Sequence, residues 1–203
     1  MALTLYGVTF NDTHDARPPV AGARAVVVRD LAAICGEAEY RVIEPTPERV
    51  LEVSEIVSAY SEHGPVLPAP VGVVFKAEDS VQRWLELHYV ALSDALAFVD
   101  NRVVGRVHVW RPGPSEDREA GSDLAAVAAE SLRALRRSAV TTVPLRVEKV
   151  TGIVLSAAFL IEQDLWKDFA GEVVEQGKRA QNLRFELTGP WPPYDFVQMQ
   201  LGS

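Results

Sequence analysis

Tyr194 and Asp195 stand side by side near the end of the chain, a phenol next to a carboxylate. Together they could serve acid–base chemistry. Neighbouring residues of a turn need not converge on one substrate atom, however, and no motif pairs a nucleophile with a base anywhere in the sequence. The histidines, His14, His63, His88 and His108, never fall at the close spacings of a metal site. His88 falls on the apolar stripe of a helical pattern and is expected to be a packed core residue. Cys35 lies beside Ile34 in an apolar stretch and reads as a small buried hydrophobe. Gly171, Gly177 and Gly189 form no phosphate-cradling loop. Asp117, Glu119 and the charges around them read as a solvated segment. The sequence therefore predicts no catalytic residues, no metal and no cofactor.

The elements that must position any site follow from periodicity. Leu3–Val8 and Ala25–Val28 read as strands, separated by a polar loop over 11–22. Residues 30–35 suggest at most a short helix, and 40–43 a short strand. Thr46-Pro47 opens a helix, with threonine as cap and proline in the first turn. Its apolar face is Val50, Val53, Val57 and Tyr60, and it stops at Gly64-Pro65. A long helix from Asp79-Ser80 carries Val81, Trp84, Leu85, His88, Leu92, Leu96 and Val99 on one stripe. Val103–Trp110 is a strand. Leu124–Leu135 is helical, 142–150 and 153–161 are strands with a turn at Thr151-Gly152, and 164–176 is a helix. Leu183–Leu187 alternates as the last strand.

This pattern predicts an α+β fold of two small domains, each an antiparallel ferredoxin-like sheet packed by helices on one face. Residues 1–111 form the N-terminal α+β domain. Residues 112–122, with Pro112, Gly113 and Pro114 followed by charges, form a linker, and 123–203 form the C-terminal α+β domain.

The 203 residues can bury a real core. Hydrophobic residues make up 48% and charged ones 24%, ordinary for a globular protein. A net charge of −8 argues against nucleic acid and against docking on anionic lipid. The start, Met1–Tyr6, lacks the pattern of a signal peptide, and no apolar run approaches the ~20 residues of a membrane span. With a lone cysteine, these features predict a cytoplasmic protein.

Most distinctive is Thr188–Phe196, with three prolines and three aromatics in nine residues. Proline lacks a backbone donor and fixes φ, so a stiff turn formed by Gly189, Pro190, Pro192 and Pro193 is expected after the last strand. Trp191, Tyr194 and Phe196 either close the local core or form an exposed apolar surface for a protein partner. Leu67–Val74, with Pro68 and Pro70, reads as an inner strand with a rigid entry or as the lining of a groove for a ligand or a partner.

The Gly189–Phe196 string resembles the signature of the gas vesicle GvpF/GvpL family. The Leu67-Pro68…Gly72…Phe75 segment, Tyr6-Gly7, Arg29–Ala33 and Ala158–Ile161 are similar to that family as well, in the expected order across nearly the whole chain. The family usually carries arginine where this chain has Pro70, and the region between the halves is shorter here. The resemblance implies a minor gas vesicle protein that assists assembly. Its implied partners are the hydrophobic major shell subunit, which it would keep from aggregating during nucleation, and other gas vesicle accessory proteins. The implied location is the gas vesicle in the cytoplasm, with no enzymatic activity. The rival reading is a cytoplasmic small-molecule-binding α+β protein without catalysis.

Overall fold

A computed structural model describes residues 1–11, 20, 22–111, 118–146 and 152–197, with the side chains of 118–123 excepted. The chain divides into two compact units, residues 1–101 with 192–203, and residues 102–191.

The first unit is built on strands β1 (Ala2–Phe10), β2 (Arg24–Val28), β3 (Leu31–Ala38), β4 (Val66–Pro68) and β5 (Val74–Phe75). Their order is β2-β3-β1-β4, with β5 also paired to β1, and every pairing is antiparallel. Helices α1 (Pro47–Ser61), α2 (Glu78–Leu87) and α3 (Tyr89–Val99) cover it. Leu3, Leu5 and Val8 of β1 join Leu31, Ala33 and Cys35 of β3 in one core with Val81, Leu85, Leu92 and Leu96 of α2 and α3. Tyr6 and Ile34 instead belong to a second core with Val53, Ile56 and Val57 of α1. The sheet thus has helices on both faces, not one. A register shift between Leu5 and Gly7 lets Val8 rejoin the core of Leu3 and Leu5 despite the odd spacing.

Residues 31–38 form β3, where the sequence suggested at most a helix. Leu31–Gly36 is buried without interruption, so the polar alternation that marks a strand is absent. Residues 40–43, expected as a strand, pair with nothing, and Tyr40 and Val42 are exposed. In α1 the Thr46 hydroxyl accepts from the Arg49 amide at 3.4 Å, as its capping role requires. Its inner face is Val53, Ile56 and Val57, whereas Val50 is exposed. The long helix breaks at His88 (φ −102°, ψ 10°) into α2 and α3, yet its apolar stripe stays buried apart from His88 itself.

The second unit contains β6 (Arg102–Trp110), α4 (Arg118–Leu135), β7 (Thr141–Pro144), β8 (Ile153–Glu162), α5 (Trp166–Arg179) and β9 (Arg184–Trp191). Its sheet order, β7-β8-β6-β9, with all pairs antiparallel, is a split βαβ arrangement that β6 completes. The first unit reaches its antiparallel sheet by a different succession, three strands before the first helix. Val107, Val109, Ala157, Phe159 and Ile161 line the face that packs on Ala128 and Leu135 of α4 and on Phe169 and Val173 of α5. Phe159 meets Phe169 with ring centroids 5.2 Å apart.

The domain bounds differ from the sequence reading, and residues 192–203, expected in the C-terminal domain, fall in the first unit. Strand β6, expected to close the N-terminal domain, pairs with β8 and β9 and so belongs to the second unit. Of the expected linker over 112–122, the part from Arg118 onward lies in α4, and 112–117 fall outside the described residues, as do the loop over 12–19 and 147–151 of the expected strand and turn.

Candidate functional site

The Gly-Pro-Trp-Pro-Pro-Tyr segment is a strand end followed by a turn. β9 continues through Gly189 and Pro190 to Trp191, where the sequence placed the turn. Two features permit this. β9 is the edge of its sheet, so the missing amide of Pro190 breaks no inner ladder. The register also shifts between Val104 and Arg106, so Thr188 faces Arg106 and Trp191 faces Val104 with the two intervening residues bulged. Gly189 sits at φ 127°, and a Cβ there would stand 2.6 Å from the Val104 carbonyl oxygen and 3.1 Å from the Trp166 ring. Glycine is required on both counts.

The aromatic rings fall into different surroundings. Trp191 is 41% exposed, and its indole Nε1 donates to the Thr188 hydroxyl at 3.2 Å. Beyond it the chain turns tightly: the Tyr194 amide donates to the Pro192 carbonyl at 2.8 Å and the Phe196 amide to that of Pro193 at 3.1 Å. Pro193 is buried and Tyr194 half-buried against the Tyr6, Ile34, Val53, Ile56 and Val57 core of the first unit. Val197 packs on the neighbouring core, and Phe196 is half-buried. Closing a core and presenting an aromatic are thus divided between residues, Tyr194 doing the first and Trp191 the second.

Val66–Phe75 supplies β4 and β5, both paired to β1, with the Ala69 amide donating to Tyr6 and the Leu5 amide to Val73 at 2.9 and 3.0 Å. Val66–Ala69 is buried and Pro70 is exposed. The Thr9 hydroxyl donates to the Pro65 carbonyl at 2.8 Å.

A serine and a histidine do meet. Ser156 and His108 oppose each other across β8 and β6, with Oγ 2.7 Å from Nδ1. Sequence reasoning missed this pair because its members are 48 positions apart and only the strand register joins them. Ser156 is 5% exposed, and the bond is read as satisfying a buried hydroxyl. His63 Nδ1 lies 3.0 Å from the Ala59 carbonyl, and His88 packs beside the Trp84 ring. His14 lies outside the described residues. Burial pushes the Cys35 thiol up to about 12, which keeps it protonated and unreactive. Burial, followed by the nearby Glu52 charge, also raises Tyr6 above the usual phenol range. Among the described residues no group of three acidic, histidine or cysteine side chains could hold a metal ion. No described helix is long and apolar enough to cross a membrane.

A two-unit α+β protein with these antiparallel sheets has solved counterparts. The crystal structure of the gas vesicle protein GvpF from Anabaena sp. PCC7120 superposes with a TM-score of 0.79, covering 98% of this chain and 99% of that one at 15% identity. GvpF from Microcystis aeruginosa gives 0.75 over 98% and 99%, at 13% identity. At such identities the likeness establishes the fold. Kinship comes from sequence. Gas vesicle protein F2 of Halobacterium salinarum is 29% identical over 191 residues, 91% of this chain and 85% of its own length. Gas vesicle protein F1 of the same organism is 24% identical over 190 residues, 91% and 86% of the two chains. The family described as gas vesicle synthesis protein GvpL/GvpF matches residues 2–123 and 113–198. The chain belongs to the GvpL/GvpF family of gas vesicle synthesis proteins, and its role lies in gas vesicle assembly.

Proposed function

We propose that this protein binds the hydrophobic major shell subunit of the gas vesicle in the cytoplasm, limits its aggregation and helps nucleate the vesicle, without catalysing a reaction. The observation that carries the reading is the family match along both units. The physical need is plain. A subunit destined for a shell exposes apolar surface and unpaired strand edges before it is incorporated, and such surfaces aggregate. An acidic partner with a net charge of −8 would keep it dispersed while covering those surfaces.

Two contacts support the reading. Trp191 offers a large, half-exposed ring on a backbone whose prolines leave little entropy to lose on binding. The second is β2, an edge strand five residues long without proline or bulge, on which Val27 is 42% exposed. It could accept a strand of the client. β9 is less suited to strand addition, because Arg184, Glu186 and Pro190 blunt its edge. Tyr194 and Phe196, by this reading, hold the turn and so support Trp191. Other gas vesicle accessory proteins are proposed as further partners.

Co-expression with the shell subunit tests this. Wild type should co-purify with the subunit and raise its soluble fraction, and folded Trp191→Ala should lose much of both effects. If wild type does neither, the assembly role as stated fails. If Trp191→Ala matches wild type, the ring is not the contact.

A further inference from the structure

One surface is not used by that proposal. Helix α3 is apolar nearly all round. Leu92, Leu96 and Val99 are buried, yet Val90 on the opposite side is 70% exposed, and Ala91 and Ala97 are exposed as well. Leu87, at the end of α2, is 79% exposed and Phe98 is 43%. Val90, Ala91, Asp94, Ala97 and Phe98 recur at the spacing of one helical face. Isolated exposed hydrophobes need no explanation, whereas a run of them along one helix marks an interaction surface.

Acids outnumber cations around this stripe. From Trp84 to Asn101 the chain carries Glu86, Asp94 and Asp100 and no lysine or arginine. Cations stand close by as well. Arg29, at the β2–β3 turn, lies over the Tyr89 ring 4.7 Å from its centroid, and Arg83 turns its Nε to the Asp79 carbonyl. Asp30 accepts from the Tyr89 hydroxyl and adds a further acid at the start of α3.

We propose that the outer face of α3, with Leu87, docks an amphipathic helix of a partner protein whose apolar stripe is edged by lysine or arginine. Val90 to Phe98 spans about 12 Å of helix, roughly two turns, enough for a crossing helix to seat its side chains. The acidic residues in and beside the stripe select the occupant. A second copy of this chain would bring Glu86, Asp94 and Asp100 against their own kind, and an anionic bilayer would be repelled by the same carboxylates. A basic amphipathic helix satisfies both the apolar stripe and its rim. The inference concerns residues other than Trp191 and β2 and stands whether or not the shell subunit is the client.

The full chain can be titrated by fluorescence anisotropy with two labelled helical peptides, one of leucine and lysine, the other of leucine and glutamate with the same apolar face. The lysine peptide should bind saturably and the glutamate peptide should not. Leu87→Ser with Val90→Ser leaves the net charge unchanged and should weaken binding about tenfold or more. Glu86→Lys with Asp94→Lys should reverse the preference. Circular dichroism establishes that each variant is folded. Equal binding of the lysine peptide by the serine variant would mean that overall charge alone attracts it, and the proposal falls. It falls also if both peptides bind alike or neither binds, if wild type sediments as a dimer that the serine variant abolishes, or if anionic vesicles compete at the same face.

Discussion

Replacing Gly189 by alanine tests whether the signature segment is shaped by packing. The new Cβ would meet the Val104 carbonyl oxygen at 2.6 Å, the Trp166 ring at 3.1 Å and the Trp191 ring at 3.3 Å. That carbonyl cannot retreat easily, since β6 lies between β8 and β9. Overpacking of this kind costs about 1–3 kcal/mol. The backbone at φ 127° adds about 1–3 kcal/mol for any side chain. Together the variant should lose about 2–6 kcal/mol of unfolding free energy in the second unit. Urea denaturation followed by tryptophan fluorescence reads this, because Trp110, Trp166 and Trp191 all lie in that unit and Trp84 in the other. Gly171→Ala is the control. Nothing lies within 4 Å of its added Cβ and it stands in α5, so it should stabilise by about 0.5–1 kcal/mol. If Gly189→Ala unfolds within about 0.5 kcal/mol of wild type, the glycine is not required by this geometry and the reasoning is wrong.

Phe159→Ala should cost about 3–5 kcal/mol, because the ring is fully buried against Phe169, and calorimetry would register it as a large fall in Tm. Thr46→Ala removes the cap of α1 and should cost about 0.5–1 kcal/mol, at the low end because its bond is 3.4 Å long; chemical denaturation checks this. Cys35 should resist a thiol reagent at pH 8 in the folded protein and react on unfolding, since a thiol raised to about 12 is almost wholly protonated there. The same burial gives a pH dependence. The unfolded thiol ionises near its ordinary 9.0 while the folded one stays neutral to about 12, so the contribution is intact below pH 9 and lost as pH climbs between those values. Stability in urea should therefore fall across that alkaline window, and Cys35→Ala should flatten part of the fall.

What the sequence made legible, and what it hid, follows from how local each signal is. The Thr46-Pro47 start of α1 and the Val81, Trp84, Leu85, Leu92, Leu96 stripe depend on neighbours a few residues away, and they were readable. The stripe even survived the break at His88, because α3 keeps Leu92, Leu96 and Val99 on the sheet. β3 was hidden because a strand buried on both faces loses the alternation that betrays strands. Tyr40–Ile43 had the composition of a strand and no partner to pair with, and β propensity without a partner decides little. The domain division was misplaced for a related reason. Pro112 and Gly113 look like a boundary, but the allegiance of β6 is set by ladders to β8 and β9, far along the chain.

The Gly-Pro-Trp-Pro-Pro-Tyr segment joins both kinds of information. Its prolines were rightly incompatible with a central strand, and the chain meets that limit by placing Pro190 on a sheet edge beside a bulge. The edge position follows from β9 being the last strand of a split βαβ unit, where the outermost place is left for the final element. The same position leaves Trp191 beside solvent, while the next residues return to the first unit and anchor Tyr194 and Val197 in its cores. Composition alone could not separate these roles, since each ring sits among prolines. Strand register assigns Trp191 to the sheet opposite Val104, and the turn hydrogen bonds of Tyr194 and Phe196 send the chain inward. A substitution at Tyr194 should therefore read out first as lost stability of the first unit, and one at Trp191 first as lost association.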